Sequence, residues 1–177
     1  IHDSLRKNDE QNNASKVFVG FALSLSVAVI CYSLVFLYFG QILPGGMVVF
    51  TGVLFLISAL ILKATGSLVI ASNTLVGSFY LAILILSILD GGVSTVCSPW
   101  FGAVAICAIL VAGGLFGLLW TGLSVVTVVI LFILQMNEFS FPVMELSVLE
   151  REIITCITYA GLVIIIAAFG RVFSLMI

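Results

Sequence analysis

Residues 17–39 read VFVGFALSLSVAVICYSLVFLYF, a run of 23 residues without a charged side chain. A helix needs about 20 apolar residues, each adding 1.5 Å, to cross about 30 Å of hydrocarbon. The run therefore predicts a membrane-spanning helix. Similar apolar runs, separated by short charged or glycine-rich segments, continue to residue 169. This repetition predicts a polytopic membrane protein.

The composition favours the same conclusion. Hydrophobic residues make up 63% of the chain and charged residues 8%, and the mean hydropathy is +1.39. Soluble proteins carry about 25% charged residues, so a lipid bilayer is the partner that we expect to cover this surface. A net charge of -2 with no basic stripe gives no means of neutralising phosphates, so we expect no nucleic-acid partner.

Turn residues and charges divide the apolar region into six predicted spans. Residues 40–46 (GQILPGG) predict the first turn. The uncharged stretch between Asp90 and Glu138 would form a helix of about 70 Å, twice the bilayer, so it must fold back. Gly113 and Gly114 are the predicted turn there. The spans are 17–39, 47–62, 67–89, 99–112, 115–135 and 153–169.

The basic residues predict the orientation, because lysine and arginine concentrate on the cytoplasmic side. With six spans and a cytoplasmic N-terminus, Arg151 is the one lysine or arginine of the six that lies on the outer side. Five spans would fit the charges nearly as well, but the span lengths favour six. We therefore expect an all-α membrane bundle of six transmembrane helices with both termini cytoplasmic. Its parts are a lead-in at 1–16, a membrane domain at 17–169 and the start of a connector at 170–177.

Few residues could support catalysis or bind a cofactor. His2 is the only histidine, which excludes a haem held by two histidines of this chain and argues against a zinc site. The four cysteines lack a CxxC spacing. Cys97 and Cys156 both fall near the predicted outer face. They could form a disulfide or stay two free thiols, and both alternatives stay open. Lys63 falls at a helix end, which disfavours a retinal Schiff base. We expect no catalytic residue, metal or cofactor in this chain.

The connection LDGGVSTVCSPW at 89–100 is the most distinctive segment of the sequence. Its glycines permit an irregular backbone, Ser98 could cap the next helix, and Pro99 suits a first helical turn. Trp100 suits the headgroup region of a membrane. Two interpretations stay open: a well-made turn between helices, or one wall of a ligand pocket that opens to the outside.

Residues 90–136 resemble the six-helix input module of bacterial sensor histidine kinases, and similar modules precede class III nucleotide cyclases and diguanylate cyclases. The matching residues are Gly91, Gly92, Ser98, Pro99, Trp100, Gly114, Gly117 and Trp120. The chain departs from the family at Leu115 and Phe116, where a basic pair often follows the glycine.

The resemblance implies a sensory receptor module of a two-component system in a bacterial inner (plasma) membrane. It also implies a homodimer in which the last span continues through 170–177 into a cytoplasmic kinase or cyclase domain. Any catalysis would belong to that domain.

Two further segments carry polar residues. In 138–152, Leu146, Leu149 and Ile153 share one helical face beyond Pro142. A short amphipathic helix on the outer surface is the first interpretation, and a ligand lid is the second. Within the third span, Asn73 predicts a hydrogen bond between helices rather than a substrate contact.

We expect the chain to be a sensory input domain for a small or lipid-like apolar signal. The alternative is a small transporter or channel, or an accessory membrane subunit. Transporters usually show intramembrane charges, broken helices or an internal repeat, and the sequence shows none of these clearly. The candidate ligand-binding residues are Tyr80, Ser94, Ser98, Trp100, Phe141 and Glu145.

Overall fold

A computed structural model gives the fold and describes residues 2–144 and 146–174. These ranges contain six α-helices and no strand, which confirms the all-α prediction. A π-helical segment, Ala108–Ala112, continues the fourth helix. The helices are α1 (His2–Tyr38), α2 (Ile42–Thr65), α3 (Leu68–Leu89), α4 (Trp100–Cys107), α5 (Gly114–Met136) and α6 (Val148–Ser174).

Four helices among the described residues are long and apolar enough to cross a membrane. Their apolar parts are Ala14–Tyr38, Ile42–Thr65, Leu68–Leu89 and Gly114–Met136. The helical stretch Trp100–Ala112 is apolar but shorter. The chain is therefore an integral membrane protein by the length and composition of its helices, whereas six crossings and the orientation stay predictions.

Helix α3 lies at the centre of the bundle, where it packs against α1, α2, α4 and α5. Its side chains Leu75, Val76 and Phe79 belong to the main core. A second core joins Phe36 of α1 and Val48 of α2 to residues of α3 and α6. This second core lies where α1, α3 and α5 end and α2, α4 and α6 begin, called here the Asp90 end.

The turn predicted at the two glycines is confirmed. Gly113 and Gly114 both have positive φ, at 59° and 43°, a backbone region that side chains with a Cβ disfavour. Beyond the turn, α5 lies directly against the π-helical segment. A Cβ on Gly117 would be 2.9 Å from the carbonyl oxygen of Ala108 and 3.0 Å from the Cα of Ile109. Gly117 therefore lets the two backbones meet within one hairpin.

The predicted cross-link at Asn73 is also confirmed. The indole Nε1–H of Trp120 donates to Asn73 Oδ1 at 2.8 Å, which joins α3 to α5. The hydroxyl groups of Tyr80 and Thr127 form a second hydrogen bond between the same helices. Interhelical hydrogen bonds of this kind fix how helices pack in a membrane, where burial of apolar surface gives little preference.

The first turn is shorter than predicted. Helix α2 begins at Ile42, so Pro44 and the two glycines after it lie in its first turns rather than before it. The first N–H groups of a helix have no partner within it, so proline fits there without losing a hydrogen bond. The prediction of a turn over 42–46 is wrong for this reason.

The predicted surface helix within 138–152 is also wrong. Glu138 has a φ of 58°, and the described residues of 139–147 form no helix. Ser147 and Glu150 form a capping box: Glu150 N–H donates to Ser147 Oγ at 3.3 Å, and Ser147 N–H donates to Glu150 Oε2 at 2.8 Å. The box begins α6 at Val148, so Leu149 and Ile153 belong to that helix.

The contact at Gly117 generates a stability prediction. We expect Gly117→Ala to destabilise the protein by about 2 kcal/mol or more, because the added methyl meets backbone that cannot rotate away. The measurement is reversible unfolding in mixed micelles.

Gly122→Ala is the matched control on the same helix, since a Cβ there has nothing within 4 Å. It should be neutral or stabilising by up to about 1 kcal/mol, because alanine favours helix over glycine. Equal stability for the two variants would contradict the close packing of α5 on the π-helical segment.

Candidate functional site

A cavity of about 390 Å³ lies between α1, α2, α3 and α6. Trp100, the first residue of α4, closes one side of it together with Cys97. The wall is formed almost entirely by carbon atoms, so it suits an apolar occupant. The lining residues are Ala28, Val29, Cys31, Tyr32, Val35, Val48, Thr51, Phe79, Ala82, Ile83, Leu86, Cys97, Trp100, Ile157, Ala160, Gly161, Ile164 and Ile165.

Trp100 is held in an aromatic cluster at this wall. Its ring stacks on Tyr32 with centroids 6.5 Å apart and meets Phe79 edge-on at 6.1 Å. A Cβ on Gly161 would lie 3.5 Å from the indole. The indole thus touches α1, α3 and α6 together, and its position depends on how α6 packs.

The hydroxyl groups of the lining residues Tyr32 and Thr51 are already hydrogen-bonded. The Tyr32 hydroxyl bonds to Thr158 Oγ1, which links α1 to α6. Thr51 Oγ1 donates to the Met47 carbonyl at 2.9 Å. These groups therefore offer little to a polar ligand, and the chemistry of the wall favours hydrocarbon.

The cavity opens sideways, between α1 and α6. Cys31 on α1 and Ile157, Ala160 and Ile164 on α6 line it while also being exposed at the surface of the bundle. The lining residues of α2 and α3 are buried. The cavity is therefore reached from the side of the bundle, between α1 and α6, and closed on the side of α2 and α3.

An acidic residue lies at the end of the same bundle. Asp90 caps α3, is 4% exposed, and has its Oδ1 3.9 Å from Nη1 of Arg151 on α6. Arg151 also donates to the Met144 carbonyl at 3.3 Å. Burial raises the pKa of the Asp90 carboxyl, and the Arg151 guanidinium partly opposes that rise.

Two predicted site residues lie in the α3–α4 connection and bond to their neighbours. Ser94 Oγ accepts from Gln135 Nε2 at 2.7 Å, and this ties the connection to the end of α5. Ser98 does not cap α4 as predicted, because its hydroxyl donates to the Thr95 carbonyl at 3.1 Å. Thr95 Oγ1 instead accepts the N–H groups of Cys97 and Ser98, each at 3.2 Å.

The other predicted site residues are spread over the bundle. Tyr80 faces α5 through its bond to Thr127. The ring of Phe141 covers Gly92, where a Cβ would lie 2.7 Å from it. Glu145 falls outside the described residues. Among those described, Trp100 is the one predicted site residue that lines the cavity.

Sequence reasoning missed the part of the site on α6. The lining residues of α6 recur at spacings of three and four residues and share one helical face; they are Ile157, Ala160, Gly161, Ile164 and Ile165. The small residues Ala160 and Gly161 in this face were the available signal. The described residues bring together no group of three histidine, cysteine or acidic side chains that could hold a metal.

The raised pKa of Asp90 generates a prediction on pH. A carboxyl whose pKa is higher in the folded than in the unfolded state contributes stability at low pH and loses it as pH rises through the folded pKa. We expect thermal stability in micelles to fall as pH rises from about 4, the ordinary pKa of an aspartate, through the raised pKa of the Asp90 carboxyl. Asp90→Asn should remove this contribution and be at least as stable as the parent near neutral pH.

Glu152→Gln, which removes an exposed carboxyl from the same end, is the control and should keep the parent's pH dependence. An Asp90→Asn protein that is less stable at neutral pH and retains the full pH dependence would contradict the assignment.

Comparisons with known proteins leave the family open. No protein-family model matches the chain, and no curated protein and no solved structure is significantly similar to it. The resemblance of residues 90–136 to sensory input modules therefore stays a prediction.

Proposed function

We propose that this chain is a membrane signal-input module in which an apolar molecule enters from the bilayer between α1 and α6 and shifts α6. The proposal takes α4 and α6 as crossings too, with both termini on the cytoplasmic side. The observation that carries it is the apolar cavity of about 390 Å³ that opens between α1 and α6.

The size and walls of the cavity support binding of a small lipid-like molecule. Ligand pockets usually measure about 300–1,000 Å³ and are lined mainly by apolar side chains. Here the buried floor is formed by Phe79, Ile83 and Leu86 of α3. A hydrocarbon chain would replace lipid contacts with closer contacts to these side chains.

The weak attachment of α6 supports its role as the moving element. Among the described pairs, α6 packs against α4 and α1 and has few close neighbours elsewhere. Its polar ties to α1 and to the end of α3, among the residues described, are the Tyr32–Thr158 hydrogen bond and the 3.9 Å pair of Arg151 with Asp90. Its outer face is open, with Val163 and Ile164 about two-thirds exposed at 66% and 67%.

A shift of α6 would reach the opposite end of the bundle, because the helix continues without a break to Ser174. A ligand changes such an equilibrium by its difference in affinity for two packings, a coupling of about 1–3 kcal/mol. In the proposed arrangement α6 acts with a dimer mate on a cytoplasmic kinase or cyclase domain that follows.

The distance between α1 and α6 tests the proposal. Spin labels at Leu34→Cys and at Cys156 lie on exposed parts of the two helices, with Cys31→Ala removing the other exposed thiol. In phosphatidylcholine nanodiscs, decane should shift the distance distribution by about 2 Å, the usual size of a helix shift. Pulsed electron paramagnetic resonance measures it.

Ala160→Phe should abolish the shift, because the new ring would occupy the mouth of the cavity. Ala167→Phe, also on an exposed part of α6 but away from the lining, should retain it. Identical distances with and without decane in both the parent and the control would rule out the input role.

A further inference from the structure

The cavity-lining face of α3 continues toward the Asp90 end with two polar residues. Ile83 and Leu86 line the cavity, and Ser87 and Asp90 each follow one of them by four residues. Residues four apart are neighbours on a helix surface. Ser87 and Asp90 therefore extend this face by one turn beyond the hydrocarbon wall.

Both residues carry a buried polar atom that lacks a hydrogen bond within the described part of the chain. These atoms are Ser87 Oγ and Asp90 Oδ2, and the residues are 0% and 4% exposed. By contrast, the hydroxyl of Ser78 on the same helix donates to the carbonyls of Thr74 and Leu75 at 2.9 Å. Buried polar atoms almost always have a hydrogen-bond partner, so we expect these two atoms to bind one.

Asp90 also lies within electrostatic reach of the cavity wall. Burial raises the pKa of the Cys97 thiol to about 12, and the Asp90 carboxylate adds to that rise. Cys97 itself lines the cavity. Ser87 and Asp90, called here the Ser87–Asp90 niche, do not line the cavity themselves but lie one helical turn beyond its lining residues Ile83 and Leu86.

We propose that the cavity takes a neutral amphiphile with a hydroxyl head group, a long-chain alcohol in chemical class. The hydroxyl would donate to Asp90 Oδ2 and accept from Ser87 Oγ–H, while the hydrocarbon tail fills the space below. This assignment rests on the proposed function, and it adds the chemistry of the head group to it.

The charges around the niche select a neutral head. Asp90 already has one cation, the Arg151 guanidinium, at 3.9 Å. A protonated amine would leave an excess positive charge in a poorly hydrated place, and a carboxylate would be repelled by Asp90. A hydroxyl has one donor and two acceptor lone pairs, so its chemistry matches an unpaired carboxylate oxygen and an unpaired serine hydroxyl without adding charge.

Competition between ligands for the cavity, measured by quenching of Trp100 fluorescence, tests the inference. A Trp120→Phe protein in phosphatidylcholine nanodiscs retains Trp100 as its one tryptophan, and bromodecane in the cavity should quench it saturably. Decanol should displace bromodecane at a mole fraction about tenfold lower than decane, because it gains two hydrogen bonds. Decylamine and decanoic acid should show no such advantage.

Ser87→Ala should reduce the advantage of decanol to about threefold, since one hydrogen bond is lost, while bromodecane still quenches. Ser78→Ala, which removes a buried hydroxyl already bonded to its own helix, is the matched control and should keep the full advantage. If bromodecane still quenches saturably but decanol and decane compete equally well, the head-group assignment to the Ser87–Asp90 niche is wrong, whereas binding in the cavity is retained. Quenching that never saturates would contradict the proposed function itself.

Discussion

The hydrocarbon exterior of the helices is the constraint on which the rest of the structure depends. Side chains such as Leu118, Val125 and Phe132 of α5 are 66%, 59% and 53% exposed, and water would not stabilise such a surface. In lipid, every backbone polar group must be paired inside its own segment, which helices achieve. The hydroxyl groups follow the same rule, as Thr121 and Ser124 donate to carbonyls four residues earlier on α5.

Lipid outside also changes what holds the helices together. Apolar side chains gain little by leaving lipid for another helix, so close backbone contact and polar cross-links decide the packing. The α4–α5 hairpin has both, in Gly117 and in the Asn73–Trp120 bond to α3. Helix α6 has one part-buried hydrogen bond to α1 and a long ion pair to Asp90 at the end of α3. By this measure α6 is held less firmly than the α4–α5 hairpin.

The sequence predicted that the six helices exist, but not all of their bounds and not the site. Apolar run length predicted all six helices, and two adjacent glycines predicted the sharp α4–α5 turn, because each signal is local. Pro44 misled the prediction of the α2 start, since proline is compatible with both a turn and a first helical turn. The cavity needs Tyr32, Trp100 and Gly161 to meet from three helices, and no local pattern specifies that meeting.

Lipid cover on the exposed faces of the helices can be measured directly. Single nitroxide labels at Leu118, Val125 and Phe132 would follow α5 across the bilayer in nanodiscs, and power saturation compares their access to oxygen and to a water-soluble nickel chelate. Oxygen partitions into hydrocarbon, so we expect the highest oxygen-to-nickel ratio at Val125 and lower ratios toward both ends. Equal and high access to the nickel chelate at all three positions would contradict it.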